Sequence, residues 1–174
     1  MMRIGLISDT HMPPWNVAMA DQIAEAFAGV DLILHAGDII SSGVLDWLET
    51  IAPVLAAKGN NDAHLYADAR VRPLQTLTHM GVSVAVLHVY EPWNRDPHDM
   101  MRERYGMEQS PDVLVVGDTH FECIERRNGV LMVNPGSPTT PHLRTDLPGT
   151  VAILHLDATG AEAEIVTLGA TGPS

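Results

Sequence analysis

Residues 3–11 read RIGLISDTH, an apolar run that ends directly in Asp9 and His11. A second run, VLVVGDTH at residues 113–120, has the same Asp-Thr-His ending. Apolar runs of this kind are typical of buried parallel strands, and α/β proteins place ligands at the carboxyl ends of such strands. An aspartate and a histidine two residues apart can direct an oxygen and an imidazole nitrogen at one point. The repeated pattern therefore predicts a metal site.

Two further apolar runs end in polar residues in the same way. Residues 32–36 lead to Gly37 and Asp38, and residues 54–57 lead to GNND at residues 59–62. Packing alone does not explain carboxylate, amide and imidazole groups at four predicted strand ends. The first half of the chain also alternates strand and helix patterns, which favours a parallel sheet with right-handed crossovers.

Beyond residue 62 the pattern changes to hairpins. They are predicted at residues 74–88, 123–134 and 150–168, and Asn128-Gly129 suits the tight turn of the second. A helix is predicted over Pro97–Glu108, with Asp96 as its N-cap. Together these elements predict an α/β fold of two mixed β-sheets packed face to face with helices on the outside, a four-layer αββα sandwich. We expect one domain over residues 1–169 and a disordered tail at residues 170–174.

Composition narrows the class of protein. The 174 residues include 22 acidic and 10 basic ones, a net charge of −12 that disfavours binding to a nucleic-acid polymer. No apolar stretch approaches the roughly 20 residues that a membrane span needs, and the amino terminus lacks the apolar core of a signal peptide. Cys123 is the single cysteine, so a cytoplasmic location is expected. The hydrophobic content of 45% permits a homo-oligomer without requiring one.

Taken in order, the strand-end residues resemble those of the calcineurin-like metallophosphoesterase superfamily. The similarity is greatest to its small single-domain branch of bacterial and archaeal phosphodiesterases, which also contains a retromer subunit. It spans roughly residues 3 to 168 and rests on an ordered set: Asp9-x-His11, Gly37-Asp38, Gly59-Asn60, His88, Gly117-Asp118-Thr119-His120 and Asn134-Pro135-Gly136-Ser137.

This resemblance implies two adjacent divalent metal ions and a small phosphoester substrate. Manganese is the expected metal, with zinc, iron or nickel as alternatives, and a metal-bound hydroxide rather than a side chain would attack phosphorus. Asp38 would bridge the two ions. The implied ligands of the first ion are Asp9, His11, Asp38 and His120, and those of the second are Asp38, Asn60 and His88. His35, Asn134 and Ser137 would lie behind the ligands and orient them.

The chain departs from the family pattern near the second ion. Asp118 stands where the family has a histidine, and its carboxylate could bind directly, bind through water or leave the second ion weakly held. His88 is followed by Val89 and Tyr90, where relatives usually have glycine and often histidine. Asn61 occupies the position at which larger members carry a histidine that protonates the leaving group.

Other groups would then have to supply that proton, and the candidates are Asp62, His64 and His142. Trp15 and Trp93, on proline-rich loops, are candidates for lining a substrate pocket.

Two classes of function remain open at this point. The first is a metal-dependent phosphodiesterase of small molecules, and a phosphomonoesterase fits less well. The alternative is a catalytically weak or inactive scaffold of the same fold that acts through protein–protein contacts. The aspartate at position 118 suggests this alternative.

Overall fold

The structure is a computed structural model that describes residues 1–11 and 17–169. Within these ranges the chain forms eleven strands, three α-helices and two short 3-10 turns at Ala63–Leu65 and Pro141–Leu143. The α-helices are α1 (Val17–Ala26), α2 (Ser42–Leu48) and α3 (Pro97–Tyr105). The strands are β1 (Met2–Ile7), β2 (Leu32–His35), β3 (Val54–Ala57), β4 (Val71–Arg72), β5 (Gln75–His79), β6 (Val82–Val86), β7 (Val113–Val115), β8 (Cys123–Arg127), β9 (Val130–Asn134), β10 (Thr150–Asp157) and β11 (Gly160–Thr167).

The strands form two mixed sheets. The first has the order β11-β10-β1-β2-β3-β4, in which β1 to β4 run parallel, β10 is antiparallel to β1, and β11 is antiparallel to β10. The second has the order β5-β6-β7-β9-β8, with β6, β7 and β9 parallel in its centre. Parallel strands therefore occupy the middle of both sheets, and their carboxyl ends meet at one edge of the molecule.

Three apolar clusters define the layers. Leu6, Leu34, Val84 and Val115 belong to the cluster between the sheets. Residues of α1 and α2 pack on the outer face of the first sheet, and Met100 and Met101 of α3 pack on the outer face of the second. The two predicted mixed sheets with helices outside are confirmed. The tail predicted at residues 170–174 lies outside the described residues. None of the helices in the described ranges is long and apolar enough to cross a membrane.

Local signals in the sequence account for several element boundaries. The Ser41 side chain accepts a hydrogen bond from Gly43 N and caps α2, and Asp96 caps α3 through His98 N and Asp99 N. The prediction that α3 runs to Glu108 is wrong. It ends at Tyr105 because Gly106 adopts a left-handed conformation (φ 67°) and its N–H bonds back to the carbonyls of the last turn.

An arginine before β4 ties the edge of the first sheet to α2. Arg70 contacts three carboxylates: Asp68 at 2.6 Å, Asp46 at 2.8 Å and Glu49 at 2.8 Å. Its side chain is only 18% exposed, so these bonds are partly shielded from solvent. The hydrogen bond from Arg70 is the largest cause that holds the pKa of Asp68 below its ordinary value.

We expect Arg70→Gln to lower the free energy of unfolding by about 1–2 kcal/mol, since two of its three partners are exposed and contribute little. Because the pKa of Asp68 is depressed in the folded state, this contribution is present above the ordinary aspartate pKa of about 4. It is lost as the pH falls through the folded-state pKa. Urea unfolding of both proteins between pH 7 and pH 2.5 measures the difference.

Arg144→Gln is the matched control, because Arg144 pairs with the exposed Asp146 on a surface loop. We expect no measurable change in its urea midpoint. An equal loss in the two variants, or a loss in Arg70→Gln that persists in acid, would contradict this account of the edge strand.

Candidate metal centre

The predicted ligands all lie at the edge where the parallel strands of both sheets end. In the first sheet they follow β1, β2 and β3, and in the second they follow β6 and β7. By strand they are Asp9 and His11 (β1), Asp38 (β2), Asn60 (β3), His88 (β6), and Asp118 and His120 (β7). The structure therefore brings together residues from opposite halves of the chain.

One group of side chains surrounds Oδ1 of Asp9. His120 Nε2 lies 3.5 Å from this oxygen and His11 Nε2 lies 3.8 Å from it. The two imidazole nitrogens are 3.1 Å apart, and His11 Nε2 is also 3.6 Å from Asp38 Oδ2. Nitrogens and oxygens at such mutual distances are spaced like the ligands of one ion. We call Asp9, His11, Asp38 and His120 the first group.

A second group adjoins the first through Asp38. The other carboxylate oxygen of Asp38, Oδ1, lies 3.4 Å from His88 Nε2. His88 Nε2 is in turn 3.6 Å from Asp118 Oδ1, which accepts a 3.0 Å hydrogen bond from Asn60 Nδ2. We call Asp38, Asn60, His88 and Asp118 the second group. The two oxygens of Asp38 thus face different groups, as a bridging carboxylate would.

Two of the histidines are oriented by backbone carbonyls. His88 Nδ1 lies 2.8 Å from Ala36 O, and His120 Nδ1 lies 2.9 Å from Thr140 O. A carbonyl can only accept, so each Nδ1 carries the proton, and in the neutral ring the Nε2 lone pair faces the centre. This arrangement is common in histidines that bind metal ions.

Two buried polar atoms at the centre lack a hydrogen-bond partner among the described residues: Asp9 Oδ1 and His88 Nε2. Asp9 Oδ1 faces the other side chains of the first group, and His88 Nε2 faces those of the second group. Buried polar atoms are nearly always paired, and leaving one unpaired costs free energy. A cation between these side chains would pair both atoms, so the residues present fit a metal ion.

The electrostatics of the centre agree with this fit. Burial raises the pKa of Asp9, against the opposing effects of Ser8, His88 and His120. For Asp38, burial is outweighed by the nearby imidazole of His88 and by hydrogen bonds from Asn61, which hold its pKa well below the usual range. Burial alone would lower the pKa of His88, but the carboxylates of Asp38 and Asp9 raise it to about 8. Two buried carboxylates thus draw positive charge to this point.

The end of β9 and the turn after it support the main chain at Asp9 and Gly117. Ser137 Oγ donates a 2.8 Å hydrogen bond to Asp9 O, and Asn134 Nδ2 donates to Gly117 O at 3.0 Å. Asp9 Oδ2 accepts from Ser8 Oγ at 2.6 Å and from Asp118 N at 3.1 Å. The backbone of one sheet therefore holds a ligand of the other.

His35 lies behind the centre, fully buried. Gly37 N donates to its Nδ1 at 3.1 Å, so the ring proton is on Nε2 and is donated to Thr10 Oγ1 at 3.2 Å. Burial lowers the pKa of His35 to about 3. The ring is therefore neutral, and its two hydrogen bonds join the loops that carry Asp9 and Asp38.

The backbone at the candidate ligands adopts a sparsely populated region of φ/ψ space. Positive φ angles of 44–69° occur at five of them: Asp9, His11, Asp38, Asp118 and His120. Such conformations cost free energy in non-glycine residues and cluster at functional sites. Two glycines make room for the ligands: a Cβ on Gly37 would lie 2.6 Å from His88 Nδ1, and one on Gly59 would lie 2.1 Å from Asp38 Oδ1.

The three candidate proton donors have other partners. Asp62 is buried, and its carboxylate accepts from the backbone N–H groups of Ile39, Ile40 and Gly59 at 2.8–2.9 Å. His64 Nε2 bonds to Ile40 O at 2.7 Å. His142 pairs with Glu122 at 2.8 Å and stacks on Phe121. Asp62 thus shapes the loops that carry Asp38 and Asn60.

Sequence reasoning missed the contact between Asn61 and Asp38. Asn61 Nδ2 donates to Asp38 Oδ2 at 2.7 Å and its N–H donates to Oδ1 at 3.0 Å. The signal was its place beside Asn60 in the GNND stretch. Of the two candidate pocket tryptophans, Trp15 lies outside the described residues. Trp93 lines an apolar cavity of about 360 Å³ with Thr119, Phe121 and Cys123.

Comparisons with known proteins place the chain in a family. Residues 2–159 match the calcineurin-like phosphoesterase superfamily domain. A probable metallophosphoesterase of Methanothermobacter thermautotrophicus is 38% identical over 170 residues, which cover 97% of this chain and 94% of that one. Phosphodiesterase MJ0936 of Methanocaldococcus jannaschii is 28% identical over 144 residues, or 78% of this chain and 83% of that one.

The fold agrees with these matches. The crystal structure of Vps29 from Chaetomium thermophilum superposes with a TM-score of 0.71 at 19% identity, covering 96% of each chain. The resemblance inferred from the strand-end residues is confirmed, and the chain belongs to the calcineurin-like phosphoesterase superfamily.

Proposed function

We propose that the protein is a metal-dependent phosphodiesterase of small molecules that uses two divalent ions. The observation that carries the proposal is the placement of Asp38, whose two carboxylate oxygens face the first and the second group separately. Asp9, His11, Asp38 and His120 would hold one ion. Asp38, His88 and Asp118, with the amide oxygen of Asn60, would hold the other.

The donor set suits such ions. Carboxylate, amide and imidazole groups without thiolate favour manganese, iron, zinc or nickel, and the carboxylate of Asp118 in place of an imidazole favours a harder ion such as manganese. When bound, the two ions would supply an activated water and offset negative charge on the phosphoryl oxygens. No side chain is needed as a nucleophile.

The candidate proton donors Asp62 and His142 are engaged by other groups. Asp62 has both carboxylate oxygens engaged by backbone N–H groups, and His142 is paired with Glu122. Neither is placed as a free proton donor for the leaving oxygen. Esters whose alcohol leaves without protonation, such as aryl diesters, are therefore the favoured substrates.

A second candidate function is a scaffold that acts through protein contacts. It is favoured by the likeness of the fold to Vps29 and by the aspartate at position 118. Against it stand the unpaired buried atoms Asp9 Oδ1 and His88 Nε2, since a scaffold has no need of a polar centre that lacks its counter-charge.

We expect Asp38→Asn to lower kcat/KM for bis(p-nitrophenyl) phosphate by at least about 100-fold, because the amide removes a charge that both ions share. The assay is run with Mn²⁺ after metal removal and reloading, and bound metal is counted per chain by mass spectrometry. Asp146→Asn, a carboxylate on an exposed loop, is the control and keeps full activity. Unchanged turnover in Asp38→Asn would exclude the proposed mechanism.

The role of Asp118 is tested by two replacements. We expect Asp118→Ala to bind one Mn²⁺ per chain instead of two, because the second group loses its only unshared carboxylate. Asp118→His should still bind two ions but shift its preference from Mn²⁺ toward Zn²⁺. Calorimetric titration of metal-free protein gives both stoichiometry and affinity. Two tightly bound ions in Asp118→Ala would show that this carboxylate is not a ligand.

Substrate class separates the two candidate functions. We expect the wild type to hydrolyse bis(p-nitrophenyl) phosphate with a higher kcat/KM than p-nitrophenyl phosphate, measured with Mn²⁺, Zn²⁺, Ni²⁺ or Mg²⁺ in turn. The reverse order would indicate a phosphomonoesterase. No turnover of either ester with any of these ions would favour the scaffold.

A further inference from the structure

A cavity of about 460 Å³ opens beside the second group. Its wall includes Asn60 and His88, two of the candidate ligands, and the longer side chains of Lys58, Tyr66, Arg104 and Tyr105. Small-molecule sites typically have volumes of roughly 300–1,000 Å³. The cavity therefore has the size of a ligand site and is lined by two of the candidate metal ligands.

The charge of this cavity is opposite to that of the protein. The chain carries 22 acidic residues, yet among the described residues no carboxylate lines the cavity, while its single lysine, Lys58, and Arg104 both do. Within the described part of the chain neither side chain takes part in an ion pair, whereas Arg70, Arg127 and Arg144 are each paired. Two unpaired cations at one cavity leave positive charge available to a ligand.

Both cations are fixed to the segments that carry the second group. Lys58 directly precedes Gly59 and Asn60, and its ammonium lies 4.6 Å from the centroid of the Tyr66 ring. Arg104, on α3, donates a 3.0 Å hydrogen bond to the carbonyl of Val89, the residue after His88. This bond uses one guanidinium N–H and leaves the others for a ligand.

We propose that this cavity binds a second phosphate group of the substrate, on the part of the phosphodiester that is not the leaving group. Arginine and lysine are the side chains that bind phosphate, arginine with two parallel hydrogen bonds and lysine as a point charge. The substrate class is then a diester of a phosphorylated alcohol, such as a nucleotide. This inference rests on the proposed function.

Two chromogenic diesters that differ only in the second phosphate test it. They are thymidine 5′-(p-nitrophenyl phosphate) and its 3′-phosphate, which share the scissile bond and the leaving group. We expect the wild type with Mn²⁺ to prefer the 3′-phosphate by about tenfold or more in kcat/KM, the factor that one charge-assisted hydrogen bond contributes. The double variant Lys58→Gln, Arg104→Gln should reduce this ratio to near one. Arg102→Gln, also on α3 but paired with Asp99, should keep it.

A binding measurement separates this inference from the proposed function. Calorimetric titration with thymidine 3′,5′-bisphosphate and with thymidine 5′-phosphate, at saturating Mn²⁺, should show tighter binding of the bisphosphate to wild type and equal binding to the double variant. If no diester is hydrolysed but this difference in binding is found, the phosphodiesterase proposal fails and the phosphate site stands. If diesters are hydrolysed with no preference and both nucleotides bind alike, the phosphate site is overturned and the phosphodiesterase proposal stands.

Discussion

Two carboxylates, Asp9 and Asp38, are buried where the parallel strands of the two sheets end. A buried carboxylate is tolerated only if hydrogen bonds or opposite charges replace the water it has lost. Ser8, Asn61 and the backbone N–H of Asp118 replace part of that water, and His88 and His120 lie on the remaining side. The other features of the site follow from this need for compensation.

The arrangement of the two sheets brings the compensating groups close to the two buried carboxylates. Because β1 and β2 run parallel in one sheet and β6 and β7 run parallel in the other, their carboxyl ends project imidazoles and carboxylates toward a common point. Small residues permit the close approach, since a side chain at Gly37 would collide with His88 and one at Gly59 with Asp38. The loops that follow these strands therefore carry the candidate metal ligands and also make the contacts that stabilise them.

Much of this could be predicted from the sequence, but unevenly. The cap at Asp96 and the Asn128-Gly129 turn are short-range signals, and the structure agrees with both. The two-residue strand β4 carries no local signal, because it is held by pairing with β3 and by the contacts of Arg70 with α2.

The candidate ligands were predictable because their residue types, in their order along the chain, resemble the pattern of the calcineurin-like superfamily. The backbone carbonyls that orient them were not, because every residue carries such a group. The carbonyl of Thr140, for instance, meets His120 only after the chain has folded. From the sequence, Asp62 is a candidate proton donor. Its hydrogen bonds from three backbone N–H groups are evident only in the structure.

The left-handed backbone at five of the candidate ligand positions limits how this centre can change over evolutionary time. Aspartate, asparagine and histidine tolerate positive φ better than other side chains, and all three are also metal ligands. At residue 118, with φ of 69°, an exchange between histidine and aspartate leaves the main chain undisturbed, whereas a β-branched residue would strain it. The substitutions that the backbone accepts at such a position are therefore residues that can still bind a cation. The identity of the bound ion can change before the ability to bind one is lost.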